Sequence, residues 1–119
     1  MTEKINLQEK FNLFNELWSP KLVSQVNDMH VKLVKIDGDF IWHSHDTGDE
    51  MFFVTKGRLT MRFRDHDVML EPGEFIVVPH QVEHMPSCED ETWIMLFEAA
   101  STVNTGTETS DRTRRVESI

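Results

Sequence analysis

The sequence predicts an all-β domain preceded by one short helix. Across residues 21–98, short apolar runs are separated by clusters of Asp, Asn, Gly and Pro. Regular short strands with turns between them are typical of a sandwich or a barrel. Residues 59–63 alternate apolar and polar side chains, so one face of that strand is buried and the other solvated. We therefore expect antiparallel strands around a single core.

Residues 1–20 form the predicted N-terminal helical segment. Asn6 can cap the first turn, and Glu9 follows three residues later as in a capping box. Pro20 stops the helix because proline disfavours helical geometry in the preceding residue. Four large apolar side chains recur at helical spacing and would share one face: Leu7, Phe11, Phe14 and Trp18.

The predicted β-barrel spans residues 21–98, and residues 99–119 form a polar C-terminal tail. The tail is rich in Thr, Ser and Asn and has no periodicity. We expect it to have little core of its own, although it can drape over a neighbouring surface. The sequence indicates no internal repeat and no second domain, since 119 residues suit one core.

Composition excludes several classes of function. The 21 acidic residues exceed the 12 basic ones, giving a formal charge of -9, and the basic residues are mostly scattered, so we expect no nucleic-acid partner. The apolar runs at residues 75–78, expected to be buried, and 93–97 are too short to cross a membrane as helices. A single Cys and the lack of a signal-peptide pattern predict a cytoplasmic protein.

Four residues carry the functional signal: His43, His45, Glu50 and His84. In a strand, residues two apart point to the same side, so the first two histidines would project together. Imidazole nitrogens and a carboxylate suit a divalent first-row metal, which would be Fe, Mn, Ni, Co or Zn. Four such ligands leave coordination positions open for water or substrate, as structural sites do not. The pattern indicates chemistry or ligand capture.

The chain between these residues predicts how they meet. A turn at residues 46–49 reverses the chain, and Glu50 then opens the next strand beside the histidine pair. Phe52 and Val54 continue the same face inward as an apolar floor. His84 belongs to a distant strand, and only closure of a barrel would bring it within ligand distance.

These residues resemble the two motifs of the cupins, whose fold is a double-stranded β-helix, a small jelly roll. The first motif is matched by Gly38, His43, His45, Glu50 and Gly57, with a spacing after Gly38 that is one residue shorter. The second is matched by Gly73, Pro79 and His84. Gln81 stands where that motif has glycine, and Cys88 where it has asparagine. Every metal position matches, and two other positions do not.

The resemblance implies one divalent metal near the middle of the barrel, held by the four residues above. The whole chain looks like the short single-domain cupins described as similar to mannose-6-phosphate isomerase. The expected function is a metal-dependent enzyme, isomerase- or dioxygenase-like, acting on a small polar molecule that chelates the metal through oxygen. No catalytic residue is assigned.

Two alternatives to an enzyme stay open. The protein can be a non-catalytic small-ligand-binding or sensor cupin in which the metal anchors the ligand. The metal can also merely stiffen the fold. A second acid or base facing the open coordination positions would favour the enzyme.

Most of the other candidate residues are interpreted as structural or surface residues. His66 is expected to be solvated and His30 structural. His80 is expected at the surface, with a proton carrier at the pocket mouth as the alternative. We interpret Cys88 as an ordinary thiol, with its acidic neighbours raising its pKa. Arg62 and Arg64 alternate away from the apolar face, which counts against a phosphorylated sugar as substrate.

The aromatic residues are expected in the core or against the sheet: Phe40, Trp42, Phe53, Phe75, Trp93 and Phe97. Short jelly rolls expose edge strands and sheet faces, so we expect a homodimer. The N-terminal helix, with Phe11, Phe14 and Trp18, would supply part of the cover that these strands and faces need.

Overall fold

The computed structural model describes residues 2–119, which form one short helix and eight strands. The helix is α1 (Leu7–Phe11). The strands are β1 (Lys21–Val26), β2 (Met29–Asp39), β3 (Glu50–Lys56), β4 (Leu59–Phe63), β5 (Asp67–Leu70), β6 (Phe75–Val78), β7 (His84–Ala99) and β8 (Glu117–Ser118). No helix within residues 2–119 is long and apolar enough to cross a membrane.

The strands wrap around β7, which is long enough to pair with three others. Along its length β7 runs antiparallel to β2. On the other side its first half pairs with β4 and its second half with β3. The remaining strands extend the sheet in the order β5-β4-β7-β2-β1-β8, and β6 pairs with β3. This all-β arrangement is the predicted jelly roll.

The helix is shorter than the sequence predicts. It begins after Asn6, whose side-chain oxygen accepts a hydrogen bond from the backbone N–H of Glu9 at 2.9 Å, as the cap was predicted to do. It ends at Phe11, however, and Trp18 has a φ of 59°, which no helix contains. The backbone N–H of Trp18 instead donates to the carbonyl of Lys35. Apolar residues still recur after the helix ends, because the irregular segment that follows packs against the same face of the sheet.

Two apolar clusters lie on opposite faces of β2. The outer cluster is defined by Phe11, Phe14 and Leu33, with Trp93 and Met95 of β7 packed against it. Phe11 and Phe14 therefore cover one face of the chain's own sheet. The inner cluster fills the barrel and contains these buried residues: Val34, Ile36, Phe52, Val54, Leu59, Met61, Leu70, Val78, Cys88, Ile94 and Leu96.

The prediction that residues 75–78, which form β6, are buried is wrong in part. Phe75 and Val77 are 58% and 48% exposed, whereas Val78 is buried. The reason is the position of β6 at an edge of the sheet, where its pairing partner is β3 and its outer face has no cover within the described chain. Alternate residues of the run consequently face solvent.

The residues after β7 follow the surface of the barrel. β8 pairs in parallel with β1, and the backbone N–H of Ile119 donates to the carbonyl of Leu22 at 3.0 Å. Thr105 is fully buried, with its hydroxyl bonded to the carbonyl of Glu108. The segment 100–119 thus drapes over the barrel and contributes buried groups of its own.

Candidate metal centre

Backbone pairing brings the two histidine motifs together. The N–H of His43 donates to the carbonyl of His84 at 3.1 Å, and the N–H of His84 donates back at 2.9 Å. This pair forms an isolated bridge, so residues 40–45 are extended but do not form the regular strand that was expected. Period-two projection still holds, because His43 and His45 are both buried while Trp42 and Ser44 are only half-buried.

The mismatched position Gln81 retains the backbone conformation that glycine favours. Its φ is 66°, in the left-handed region where residues other than glycine are uncommon. In that conformation its N–H donates to the carbonyl of His45 at 2.7 Å. The turn that delivers His84 therefore forms without the glycine of the motif.

The four predicted side chains converge in the interior. Their ligand atoms all lie within 4.8 Å of one another, and all four residues are buried. Oε1 of Glu50 lies 3.1 Å from Nε2 of His45 and 3.6 Å from Nε2 of His84. Such separations match a shell of donors around one cation, since metal–nitrogen and metal–oxygen bonds are about 2 Å long.

Backbone carbonyls orient two of the imidazoles. Nδ1 of His43 lies 2.9 Å from the carbonyl oxygen of Ile41, and Nδ1 of His84 lies 2.9 Å from that of Val82. A proton on Nδ1 donates to each carbonyl, so Nε2 is left without a proton and faces the centre. Ligating histidines are held in this way in metal sites.

The polar atoms at the centre test whether a metal fits. Nε2 of His45, Nε2 of His84 and Oε1 of Glu50 are buried without a hydrogen-bond partner among the described residues. Leaving buried polar atoms unpaired costs free energy, and native proteins rarely do so. One divalent cation would satisfy all three at once, so the residues fit a metal.

Burial also sets the protonation of the donors. Burial, together with the neighbouring His84, lowers the pKa of His43 to about 4, so its imidazole is neutral at physiological pH. Burial alone would raise the pKa of Glu50, but its contacts with His45 and His84 outweigh burial and hold that pKa below its ordinary value. Neutral imidazole and ionised carboxylate are the forms that bind metals.

A small cavity lies beside the four donors inside the barrel. His43 and Glu50 form one side of it. Its volume is about 40 Å³, which is room for about three water molecules. Phe52 lines it, as the predicted floor requires, whereas Val54 lies in the inner cluster. Most of the wall is apolar: Val34, Ile36, Phe40, Ile94 and Leu96.

The sequence analysis missed two charged residues in the same cavity, Lys32 and Glu98. Nζ of Lys32 donates to Oε2 of Glu98 at 2.9 Å, and each side chain is 2% exposed. Burial and then the charge of Glu50 raise the pKa of Glu98 well above its ordinary value. The sequence could have indicated Lys32, because Lys32, Val34 and Ile36 alternate along β2 and therefore share its inward face.

A polar cleft on the outside of the barrel includes one of the four predicted donors, His45. It lies between the loop at His45, Asp46 and Thr47 and the C-terminal residues 101–107. Gly106 touches this loop so closely that an added Cβ would overlap the carbonyl oxygen of Ser44. The N–H of Thr107 donates to the same carbonyl at 3.0 Å. The C-terminal segment therefore forms one wall of the approach to His45.

The remaining histidines and the cysteine lie outside the cluster of four donors. His66 is exposed and contacts Asp65, and His30 is a half-buried residue of β2. His80 is also exposed, and its Nδ1 and backbone N–H lie 3.0 Å from Oδ1 of Asp49, an acidic partner that sequence alone did not identify. Burial, more than acidic neighbours, raises the pKa of Cys88.

The arginines of β4 and its flanks face away from the cavity, as predicted. Arg58, Arg62 and Arg64 are exposed and contact Glu71, Asp67 and Glu83 in that order. Of the other aromatic residues, Phe40 is buried, Trp42, Phe53, Trp93 and Phe97 are half-buried, and Phe75 is exposed. No arginine is among the residues that line the cavity, but the guanidinium of Arg112 lies 5.6 Å from the ring centres of Trp18 and Phe40, which both line it.

Comparisons with known proteins agree with this geometry. A family model described as "Cupin domain" matches residues 30–98, which include all four donors. The crystal structure of a cupin-2 domain containing protein from Shewanella frigidimarina NCIMB 400 is 45% identical, covers 80% of this chain and 93% of its own, and has a TM-score of 0.79. Protein NMB1881 from Neisseria meningitidis is 31% identical, with 82% and 100% coverage and a TM-score of 0.76. Uncharacterized protein YdbB of Bacillus subtilis strain 168 is 31% identical over 85 residues, 71% of this chain and 75% of that protein.

Proposed function

The chain belongs to the cupin domain family, and on that premise we propose that it is a metal-dependent enzyme acting on a small, polar, oxygen-chelating molecule. The observation that carries the proposal is the convergence of four buried donor atoms, three of them unpaired, beside an interior cavity. Membership of the fold alone does not determine chemistry, so the argument depends on these side chains.

In the proposed site, His43, His45, Glu50 and His84 hold one divalent ion, which is Fe, Mn, Ni, Co or Zn. When bound, the metal supplies Lewis-acid polarisation of a substrate oxygen or, as iron, the capacity for oxygen chemistry. The three imidazoles bind it as neutral donors, and Glu50 reduces the charge of the centre. The apolar wall at Phe52 excludes bulk water from the reacting group.

The Lys32–Glu98 pair supports an enzyme over a passive binding site. An enzyme needs a polar group besides the metal ligands that can contact the reacting molecule. Glu98 and Glu50 both line the cavity, and they stand on neighbouring strands, β7 and β3. Phe97 and Met51, the residues next to them in sequence, pair directly with each other. Glu98 is therefore the side chain that we propose for proton transfer at the ligand.

The competing proposal is a non-catalytic small-ligand-binding or sensor protein in which the metal anchors the ligand. One observation favours it, namely that the cavity is small and mostly apolar. A conversion of any bound small molecule by the metal-loaded protein would decide for the enzyme. Binding without conversion would decide for the sensor.

The metal is tested first, with His84→Ala. We expect purified wild-type protein to hold about one metal per chain, and the variant to bind it on the order of 100-fold more weakly while circular dichroism shows that the fold is retained. His66→Ala is the matched control, because His66 is an exposed histidine outside the cluster of four donors. A wild-type protein that is metal-free and unresponsive to added Fe, Mn, Ni, Co or Zn would contradict the proposal.

We also propose a homodimer in the cytoplasm with no nucleic-acid or membrane partner. Exposed Phe75 and Val77 share one face of the edge strand β6, which a second copy would cover. The single free thiol, Cys88, is in keeping with a reducing compartment. Sedimentation that gives a monomer at micromolar concentration would reject the dimer.

A further inference from the structure

The Lys32–Glu98 pair has a position that fold stability does not explain. Both residues stand at inward positions of β2 and β7 that otherwise carry Val34, Ile36, Ile94 and Leu96. Removing two charges from water costs several kcal/mol for each ion, and apolar side chains of similar volume stabilise a core at least as well. A ligand that uses the pair would account for its presence in the cavity.

The pair is incompletely satisfied. Oε2 of Glu98 accepts from Lys32, but Oε1 is buried with no N–H donor among the described residues, and the neighbouring carboxyl group is that of Glu50. Nζ of Lys32 makes one hydrogen bond within the same part of the chain, and an ammonium has three N–H donors. The pair therefore offers a ligand both a hydrogen-bond donor and an acceptor at one point.

The rest of the cavity limits what the ligand can be. His43 and Glu50 of the four donors line it, so a carboxylate there would meet a divalent ion, and most of the other lining residues are apolar. Because Glu50 and Glu98 stand on neighbouring strands, their Cβ atoms are about 5 Å apart, so the ligand must be short. Its distal group must both donate and accept, which a hydroxyl does through a single atom.

We propose that Lys32 and Glu98 bind the distal hydroxyl of a short-chain hydroxy acid whose carboxylate meets the metal centre. The proposal rests on the proposed function and names the class of its ligand. A second carboxylate at the distal position is disfavoured, since it would face Glu98 and Glu50 as well as Lys32. A phosphate would carry still more negative charge toward the same two glutamates.

The test compares 3-hydroxypropanoate with propanoate, which lacks only the hydroxyl. Calorimetric titration of the full chain, loaded with the metal that it retains, should show the hydroxy acid binding about tenfold or more tightly. In Lys32→Met/Glu98→Leu the ratio of the two affinities should fall to near one. Comparing the ratio within each variant cancels any change in metal affinity that both ligands share.

The matched control is Lys35→Met, which removes an equally buried lysine from the opposite face of the same strand and should keep the wild-type ratio. A second pair variant, Lys32→Met/Glu98→Gln, keeps the shape of residue 98 and should also lower the ratio, so one misfolded variant does not end the test. A wild-type ratio near one overturns the inference. So does a preference that persists in the pair variants, because the hydroxyl would then bind the metal alone.

The outcomes separate this inference from the proposed function. If the protein binds no metal, both fail together. If it binds metal and propanoate but shows no preference for the hydroxyl, only the assignment of Lys32 and Glu98 fails. If it binds metal and neither acid, the ligand class is wrong while the metal centre stands.

Discussion

Each face of β2 buries one lysine, and the two lysines differ in how completely their hydrogen bonds are satisfied. On the outer face, Nζ of Lys35 donates to the carbonyl of Phe14 at 2.7 Å and lies 4.5 Å from the ring centre of Trp93. On the inner face, Lys32 is paired with Glu98, whose second oxygen has no partner among residues 2–119. The outer lysine is bonded and covered by its own chain, whereas the inner pair retains unused hydrogen-bonding capacity.

The difference separates a buried lysine whose polar contacts are supplied by its own fold from buried polar groups that retain unused hydrogen-bonding capacity. Polar groups in the outer cluster are matched by a carbonyl and two aromatic rings, as buried groups in a stable fold should be. Unpaired atoms on the inner side include Nε2 of His45 and Nε2 of His84. A variant on the outer side should therefore change stability, and a variant on the inner side should change binding.

The largest effect on stability is expected for Phe11→Ala in the outer cluster. Phe11 is 1% exposed and stacks on Trp93, with ring centres 4.8 Å apart. Truncating a buried phenylalanine lowers the free energy of unfolding by about 3–5 kcal/mol, which urea titration of the metal-free protein would measure. Leu13→Ala, at a 64% exposed residue, is the control and should change little. Lost metal binding in a folded Phe11→Ala variant would break the separation of the two faces.

Replacing the buried lysines sharpens the comparison. Lys35→Met leaves the carbonyl of Phe14 unpaired and should cost about 1–3 kcal/mol of unfolding free energy. In contrast, Lys32→Met/Glu98→Leu should leave that free energy unchanged or raise it by about 1–4 kcal/mol, because apolar groups replace a buried ion pair. Thermal unfolding of both metal-free variants compares them directly. A pair variant less stable than Lys35→Met would show that the inner pair is structural.

A smaller effect is expected for Gly106→Ala at the outer cleft. Gly106 has a φ of 61° and lies against Ser44, between two of the histidines, so the added Cβ must displace one segment. We expect a loss of about 1–3 kcal/mol, because the added Cβ meets backbone atoms of Ser44, and faster metal exchange with a coloured chelator. Gly73→Ala is the matched control, because Gly73 has a φ of 88° and a Cβ added there would have no atom within 4 Å. Equal effects on metal exchange would mean that the cleft is not the route to the metal.

The smallest effect is expected for Gln81→Gly. Glycine adopts the positive φ of this turn without steric cost, but the unfolded chain gains freedom. The two contributions nearly cancel, and we expect a gain of at most about 1 kcal/mol. Equilibrium unfolding would show it, with metal content unchanged. A clear loss of stability would mean that the Gln81 side chain, and not only its backbone, supports the turn.

Much of the site was predictable because ligand chemistry is written in residue types and short spacings. Alternation identified His43 and His45 as neighbours on one side, and the turn before Glu50 placed the carboxylate beside them. Helix length was less predictable, since apolar spacing reports which residues are covered and not the backbone conformation that covers them. The division of the chain at residues 20 and 98 stays a prediction, although β1 begins at Lys21 and β7 ends at Ala99.

The sequence by itself determined the all-β class, the four side chains that converge in the interior and the apolar face behind Glu50, because these depend on periodicity and on the chemistry of single residue types. Only the tertiary structure decided that Lys32 and Glu98 share the cavity, that Phe11 and Phe14 cover the opposite face, and that the C-terminal segment borders the approach to His45. Those facts depend on strand register and on contacts between distant parts of the chain. No local pattern encodes such contacts, because the two faces of a strand buried on both sides look alike in sequence.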